Sequence, residues 1–181
     1  MKLIVIPCSW CKLWSHQIQN ESFSLNEEDR FEDHIGDLRP SVLLGRKKYQ
    51  NMLKDKSVPA LDRYNGILYK TDSSLRARLS EAIRQAAVQV VILSGGYGAV
   101  TASQRIRWYN QPFEFDHWLQ HKLPEALVRF AEGLKPDSIT GLFKSPSEAP
   151  GTSRCSMQRA EAFLHVLNRM IAISSNSRVR S

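Results

Sequence analysis

The sequence predicts one α/β domain, a mixed central sheet flanked by helices, and three observations carry that prediction. The chain opens on an apolar run, Leu3-Ile4-Val5-Ile6, that stops at Pro7, as a buried strand does. A helical stripe over 73–87 leads directly into Val88-Gln89-Val90-Val91-Ile92-Leu93 and then Ser94-Gly95-Gly96-Tyr97-Gly98. This helix, strand and glycine-loop order belongs to α/β folds, which place functional loops at strand carboxyl ends. Finally, 181 residues suffice for one core and fall short of two comfortable ones. The domain is expected over 1–173, with 174–181 a flexible tail.

Taken in order, 2–6 is the first strand. Residues 15–37 are polar and acidic (Glu27, Glu28, Asp29, Glu32, Asp33) and read as a surface excursion. Over 39–56, Val42, Leu43, Tyr49, Met52 and Leu53 recur near helical spacing, although Gly45 weakens an unbroken helix. Leu75, Leu79, Ala82, Ile83 and Ala86 form one stripe of a helix that Ser73 or Ser74 can cap. A helix is expected over 116–130 despite Pro124, a strand over 138–143, a loop over 145–151 and a last helix over 152–173.

Composition narrows the function classes. An apolar fraction of 42% with 24% charged residues is ordinary for a folded domain. The longest apolar stretches fall far below the roughly 20 residues of a membrane-spanning helix. The opening run is too short for a secretory signal and has no cleavage site, so no membrane partner is expected. Three cysteines do not make a disulfide framework, and a reducing cytoplasm is the expected setting. A net charge of +7 attracts polyanions, nucleic acid among them.

Four segments carry chemistry. Cys8-Ser9-Trp10-Cys11 follows the first strand and admits a redox dithiol, half a zinc site or a binding turn. Zinc would need about four ligands, with only His16, His34 and Cys155 to complete them, so a non-metal turn is favoured. Ser94-Gly95-Gly96-Tyr97-Gly98 lets backbone approach a ligand, but it is neither a dinucleotide fingerprint nor a Walker loop, and no cofactor is expected. Arg105-Ile106-Arg107-Trp108-Tyr109-Asn110, then Glu114 and Asp116, interleaves cations, aromatics and carboxylates. Arginines neutralise phosphates and aromatic faces stack on unpaired bases. Asp62-Arg63-Tyr64-Asn65-Gly66 with Tyr69 is a second polar-aromatic cluster, with a turn at Asn65-Gly66.

Three of these stretches resemble, in order, the peroxide-stress YaaA-like superfamily. They are Pro7-Cys8-Ser9 with Lys12, Arg63-Tyr64-Asn65-Gly66 with Tyr69, and Ile92-Leu93-Ser94-Gly95-Gly96-Tyr97-Gly98, followed at 107–110 by a degenerate copy of the group's "I-x-P-Y" segment. The match covers roughly 1–12 and 60–110, and the serine-glycine-tyrosine-glycine stretch is its most specific part. The Pro-Cys-Ser segment is also similar to one in archaeal archaeosine synthases. Gly96 replaces a bulkier residue and Trp108 a proline. The resemblance implies DNA binding or chemistry on modified bases, and a phage-defence glycosylase of glucosylated hydroxymethylcytosine is the relative it suggests.

The expectation is therefore a DNA glycosylase acting on a base taken out of the stack, with a non-catalytic DNA-binding stress protein as the rival. Asp62, Glu114 and Asp116 are the candidate catalytic carboxylates, with Lys12 as an amine nucleophile on a second route. Tyr97, Trp108 and Tyr109 are expected to contact the base, and Arg63, Arg105 and Arg107 the phosphates. Cys8, Ser9, Tyr64, Tyr69, Ser94, Gly95, Gly96 and Asn110 complete the expected binding set. DNA is the expected partner, with no metal and no obligate protein partner.

Overall fold

The computed structural model describes residues 1–24, 28–66, 69 and 72–142. The loop expected at 145–151, the helix at 152–173, the tail and Cys155 lie outside them. In chain order the described elements are β1 (Lys2–Pro7), α1 (Arg39–Lys47), β2 (Lys54–Pro59), α2 (Ala60–Arg63), α3 (Ser73–Arg84), β3 (Val88–Ser94), β4 (Gly98–Thr101), β5 (Arg105–Trp108), α4 (Phe115–Gln120), α5 (Leu123–Leu134) and β6 (Ser138–Gly141).

The main sheet runs β4-β3-β1-β6. Both neighbours of β1 are parallel to it, while β4 returns antiparallel to β3 through a tight turn, with Ser94 opposite Gly98. The fold is α/β with a mixed sheet, as the sequence predicts. Both faces of β1 and β3 are covered, which explains their near-continuous apolar runs. Leu3, Val5, Val91 and Leu93 join the core against α1, α4 and α5. Ile6, Val90 and Ile92 join Ile83 of α3 and Ile106 of a separate antiparallel ribbon of β2 and β5.

One side chain ties several elements together. Trp118 of α4 is fully buried, and its indole Nε1–H donates to the Gly95 carbonyl oxygen at 3.1 Å. A Cβ at Gly45 in α1 or at Gly98 would stand 2.7 or 2.8 Å from the ring. Gly45 therefore does not weaken α1; it admits the indole. Gly98 also has a φ of +76°, which other residues rarely adopt.

The sequence reading needs correction at five places. The 39–56 segment is not one helix, because it ends near Lys47 and re-enters as β2, with a left-handed Asp55 (φ 67°) at the irregular register. The helix expected over 116–130 is two, since Lys122 turns left-handed (φ 54°) and Pro124 sits in the first turn of α5, where no amide is needed. Asp72, rather than Ser73 or Ser74, caps α3, accepting the Leu75 amide at 2.8 Å. The inward stripe of α3 holds at Leu79, Ala82 and Ile83 but fails at its ends, where Leu75 is 46% exposed and Ala86 exposed, while Ser80 is buried. The acidic 15–37 segment is no surface excursion, for Phe23, Phe31, Ile35 and Glu32 are all buried. Glu32 can be buried because Arg46 grips it with two hydrogen bonds, at 2.7 and 2.9 Å, and Gln104 adds a third at 2.9 Å.

Candidate functional site

The chain leaving β1 builds the site. The Cys8 amide donates to the Leu93 carbonyl at 2.8 Å and extends the β1–β3 ladder by one bond. The Cys11 amide then donates to Ser9 Oγ at 3.1 Å, closing a turn. Beyond it the chain runs antiparallel to 63–65: Leu13 N–H bonds Arg63 O at 2.8 Å, Asn65 N–H bonds Cys11 O at 2.9 Å, and Lys12 bridges Tyr64. A Cβ at Gly66 would fall 2.4 Å from Ser9 Oγ, so only glycine permits this approach. These contacts put Lys12 at the carboxyl ends of the parallel strands β1 and β3, where open α/β sheets bind ligands.

Lys12 Nζ donates to Ser9 O at 3.0 Å and stands 4.3 Å from the centre of the Tyr109 ring and 5.7 Å from that of Tyr64. Among the described residues it forms no ion pair with a carboxylate. Burial pushes its ammonium below the ordinary lysine value, partly offset by the Cys8 and Cys11 sulfurs. Beneath it three buried hydroxyls close a ring: Tyr64 to Tyr109 at 2.6 Å, Ser94 to Tyr109 at 2.7 Å and Tyr64 to Ser94 at 3.2 Å. Burial raises the Tyr64 and Tyr109 phenols well above their ordinary range, so both stay neutral and the floor carries no charge.

The segments singled out from the sequence do meet. Tyr97 Oη accepts the Arg107 amide at 3.0 Å, and its ring packs edge-on to Tyr109 at 5.7 Å. Tyr69 donates its hydroxyl to Pro7 O. Their junction, however, is filled by side chains. Tyr64, Tyr69 and Tyr109 are buried rings of the core, with Lys12 over the Tyr109 ring. The glycines serve packing: a Cβ at Gly95 would meet the Gln111 carbonyl at 2.1 Å, and one at Gly96 the Tyr109 ring at 3.1 Å.

Other expected residues are held elsewhere. Arg63 is wholly buried, donating to Asp55 at 2.8 Å and to the carbonyls of Leu13 and Lys56. It is an internal brace that no phosphate reaches. Arg105 pairs with Glu21 through two bonds, at 2.5 and 2.9 Å. The carboxylates do not converge. Asp62 is buried and accepts from Phe23 N–H at 3.1 Å and from Arg76 at 2.6 Å. Burial raises its pKa against the opposing pull of Phe23 N–H and Arg76. Glu114 accepts from Lys48 at 2.6 Å and from Gln111, beside α1 and α4 on the other face of the sheet. Asp116 is exposed in the first turn of α4, and Asn110 is exposed as well. Arg107 is exposed, its Nε donating to Asp55 O at 3.1 Å. Trp108 stacks on Trp14 with ring centres 4.6 Å apart and planes within 7°.

Sequence reasoning missed Trp14, Lys54 and Lys56, because β2 was hidden inside an apparent helix and Trp14 has no local signal. It also passed over Trp10, which is 70% exposed two residues before Lys12. An open groove of about 310 Å³ lies between 15–21 and β2, lined by Ser15, His16, Ile18, Glu21, Lys56, Ser57, Val58 and Arg105. Cys8 and Cys11 are free thiols, one half-buried and one exposed. Among the described residues no group of three or more His, Cys, Asp or Glu is placed to hold a metal. No helix there is long and apolar enough to cross a membrane. Compared with family models, curated proteins and solved structures, the chain matches none.

Proposed function

We propose that this protein is a cytoplasmic DNA glycosylase that removes a modified base, of the glucosylated cytosine kind, in defence against phage DNA, and that Lys12 rather than a carboxylate is its nucleophile. The observation that carries the reading is the placement of Lys12. It is an amine half-withdrawn from water, without a carboxylate partner, at the carboxyl ends of β1 and β3. An amine kept from a counter-charge loses its proton more readily and becomes nucleophilic. Asp62 and Glu114 are each committed to a cation, which speaks against them as nucleophile or base.

In this reading the neutral Lys12 amine attacks C1′ of the nucleotide. The N–C1′ bond to lysine forms as the glycosyl C–N bond breaks, and the bonding pair leaves with the base, which takes up a proton. Opening of the sugar ring gives a Schiff base, and water then releases an aldehydic abasic site. Trp10, exposed two residues before Lys12, offers an indole face for the extruded base. The test is incubation with DNA carrying glucosylated hydroxymethylcytosine, with mass spectrometry of the released base and borohydride trapping of the Schiff base. Trapping in the native protein and its loss in Lys12→Ala is the expected result. Retention of base release by Lys12→Ala would refute the amine route.

The second reading, a DNA-binding protein without chemistry, draws on the close packing at Tyr64 and Tyr109. Tight binding to every modified DNA with no base released would favour it.

A further inference from the structure

The β2–β5 ribbon gathers cations that the carboxylates leave unanswered. Lys54 and Lys56 are exposed on β2, and Arg107 is exposed on β5. The Arg107 guanidinium lies across β2, bonded to the Asp55 carbonyl between the two lysines. Among the described residues none of the three forms an ion pair with a carboxylate. The nearby Asp55 carboxylate cannot answer them, since it is engaged by buried Arg63 and by Ser15, which hold its pKa well below the ordinary range despite burial. Lys54 is the register partner of Trp108, so the strip ends at the partly exposed Trp108–Trp14 stack. At its other end Lys56 lines the open groove of about 310 Å³ together with His16.

From this juxtaposition we infer that the ribbon is a binding track for single-stranded nucleic acid, with phosphates along Lys54, Arg107 and Lys56, a base on the tryptophan stack and the next nucleotide entering the groove. Unpaired phosphates supply the charge that three adjacent cations lack, and an indole face binds an unstacked base of any sequence. A duplex keeps its bases inside and has nothing to offer the stack. The inference rests on the DNA-acting reading and names the strand state it takes and the path of the strand. It needs no chemistry at Lys12.

The experiment is a salt series of fluorescence anisotropy titrations with a labelled 12-mer of thymidylate and a duplex of the same length, using the full chain. The native protein should prefer the single strand and show quenched tryptophan fluorescence on binding. Lys54→Gln/Lys56→Gln should lower the slope of log affinity against log salt by about 1.4 and weaken binding at 0.1 M salt roughly tenfold or more. Lys47→Gln, on exposed α1, should change neither. An unchanged slope in the double variant, with its circular dichroism intact, overturns the track. Equal binding of duplex and single strand overturns its single-strand character. Because thymidylate carries no modified base, binding to it can succeed where base excision fails, and the two ideas fall separately.

Discussion

Replacing Glu32 by glutamine should cost about 3–5 kcal/mol of folding stability, because it leaves a buried guanidinium without its counter-charge. The Arg46 and Glu32 side chains are only 11% and 6% exposed, and Arg46 also donates to the Tyr97 carbonyl at 2.9 Å and the Ala99 carbonyl at 3.0 Å. It thereby holds the acidic 28–35 segment against the β3–β4 turn and lies over the Tyr97 ring at 5.6 Å. At ~2–4 °C per kcal/mol for a chain of this size, the midpoint should fall by ~6–20 °C. The assay is urea unfolding at pH 7 and in acid, with thermal scans beside it. Burial alone would push the Glu32 carboxyl up, but the Arg46 hydrogen bonds and charge and the Gln104 amide hold it below 4.5. A depressed carboxylate stabilises fully above its unfolded pKa and loses that contribution as pH falls through the folded one. The gap between native protein and variant should therefore narrow below pH 4.5, the ordinary carboxyl value. Glu32→Leu/Arg46→Met should recover part of the loss, but not all, since two carbonyls and Gln104 lose partners. A Glu32→Gln cost under 1 kcal/mol at pH 7, or a gap that does not close in acid, would refute the argument.

The same packing sets other outcomes. Borohydride trapping by Lys12 should rise with pH to an inflection below 10.5, the ordinary lysine value, because burial favours the neutral amine; an inflection at or above it would remove the desolvation argument. Gly98→Ala should destabilise by about 2–4 kcal/mol, combining a left-handed backbone with a methyl driven into the Trp118 ring, and differential scanning calorimetry reads the loss. Arg63→Met should lower stability by several kcal/mol in chemical unfolding, because it removes a wholly buried cation that joins Asp55 to the carbonyls of Leu13, Lys56 and Ile106, and a merely surface-binding Arg63 would leave the curve unmoved. Cys11→Ser should leave base release within about twofold of native, since Cys11 meets the turn through its backbone amide; abolition would instead favour a thiol mechanism.

What the sequence showed plainly was whatever a single period could encode. The β1 and β3 runs are nearly continuous in apolar residues because both faces are covered, and that pattern survives without tertiary knowledge. β2 was illegible because its residues, Lys-Asp-Lys-Ser-Val-Pro, bury only Val58 and Pro59, and the preceding helical spacing ran straight into them. β5 and the Tyr109 that follows it looked like a ligand segment because arginine, tryptophan and tyrosine have the composition of a binding site; Tyr109 is instead a buried core ring. Of the β5 residues only Ile106 is buried, and Trp108 turns to Trp14, a partner 94 positions away. Arg63 misled for the opposite reason. An arginine beside an aspartate reads as surface charge, yet its partner is Asp55, and four acceptors in the interior take up its guanidinium.

Burial of Arg63 bears directly on Lys12. Its backbone carbonyl accepts from the Leu13 amide, and its guanidinium donates to the Leu13 carbonyl, so the peptides on both sides of Leu13 are fixed to one immobile residue. Lys12 is thus held between two anchors, the Ser9 turn before it and the Arg63 brace after it. The anchors fix the Lys12 backbone, and from it the amine reaches to 4.3 Å from the centre of the Tyr109 ring. Asp62 and Glu114 have no comparable arrangement, because each is paired with a cation from another segment, Arg76 and Lys48. Lys12 Nζ, bonded to one backbone carbonyl and to no carboxylate among the described residues, is the group the amine route needs, and Lys12→Arg separates charge from nucleophile. Arginine retains the charge over the ring but cannot form a Schiff base, so folding should survive while trapping disappears.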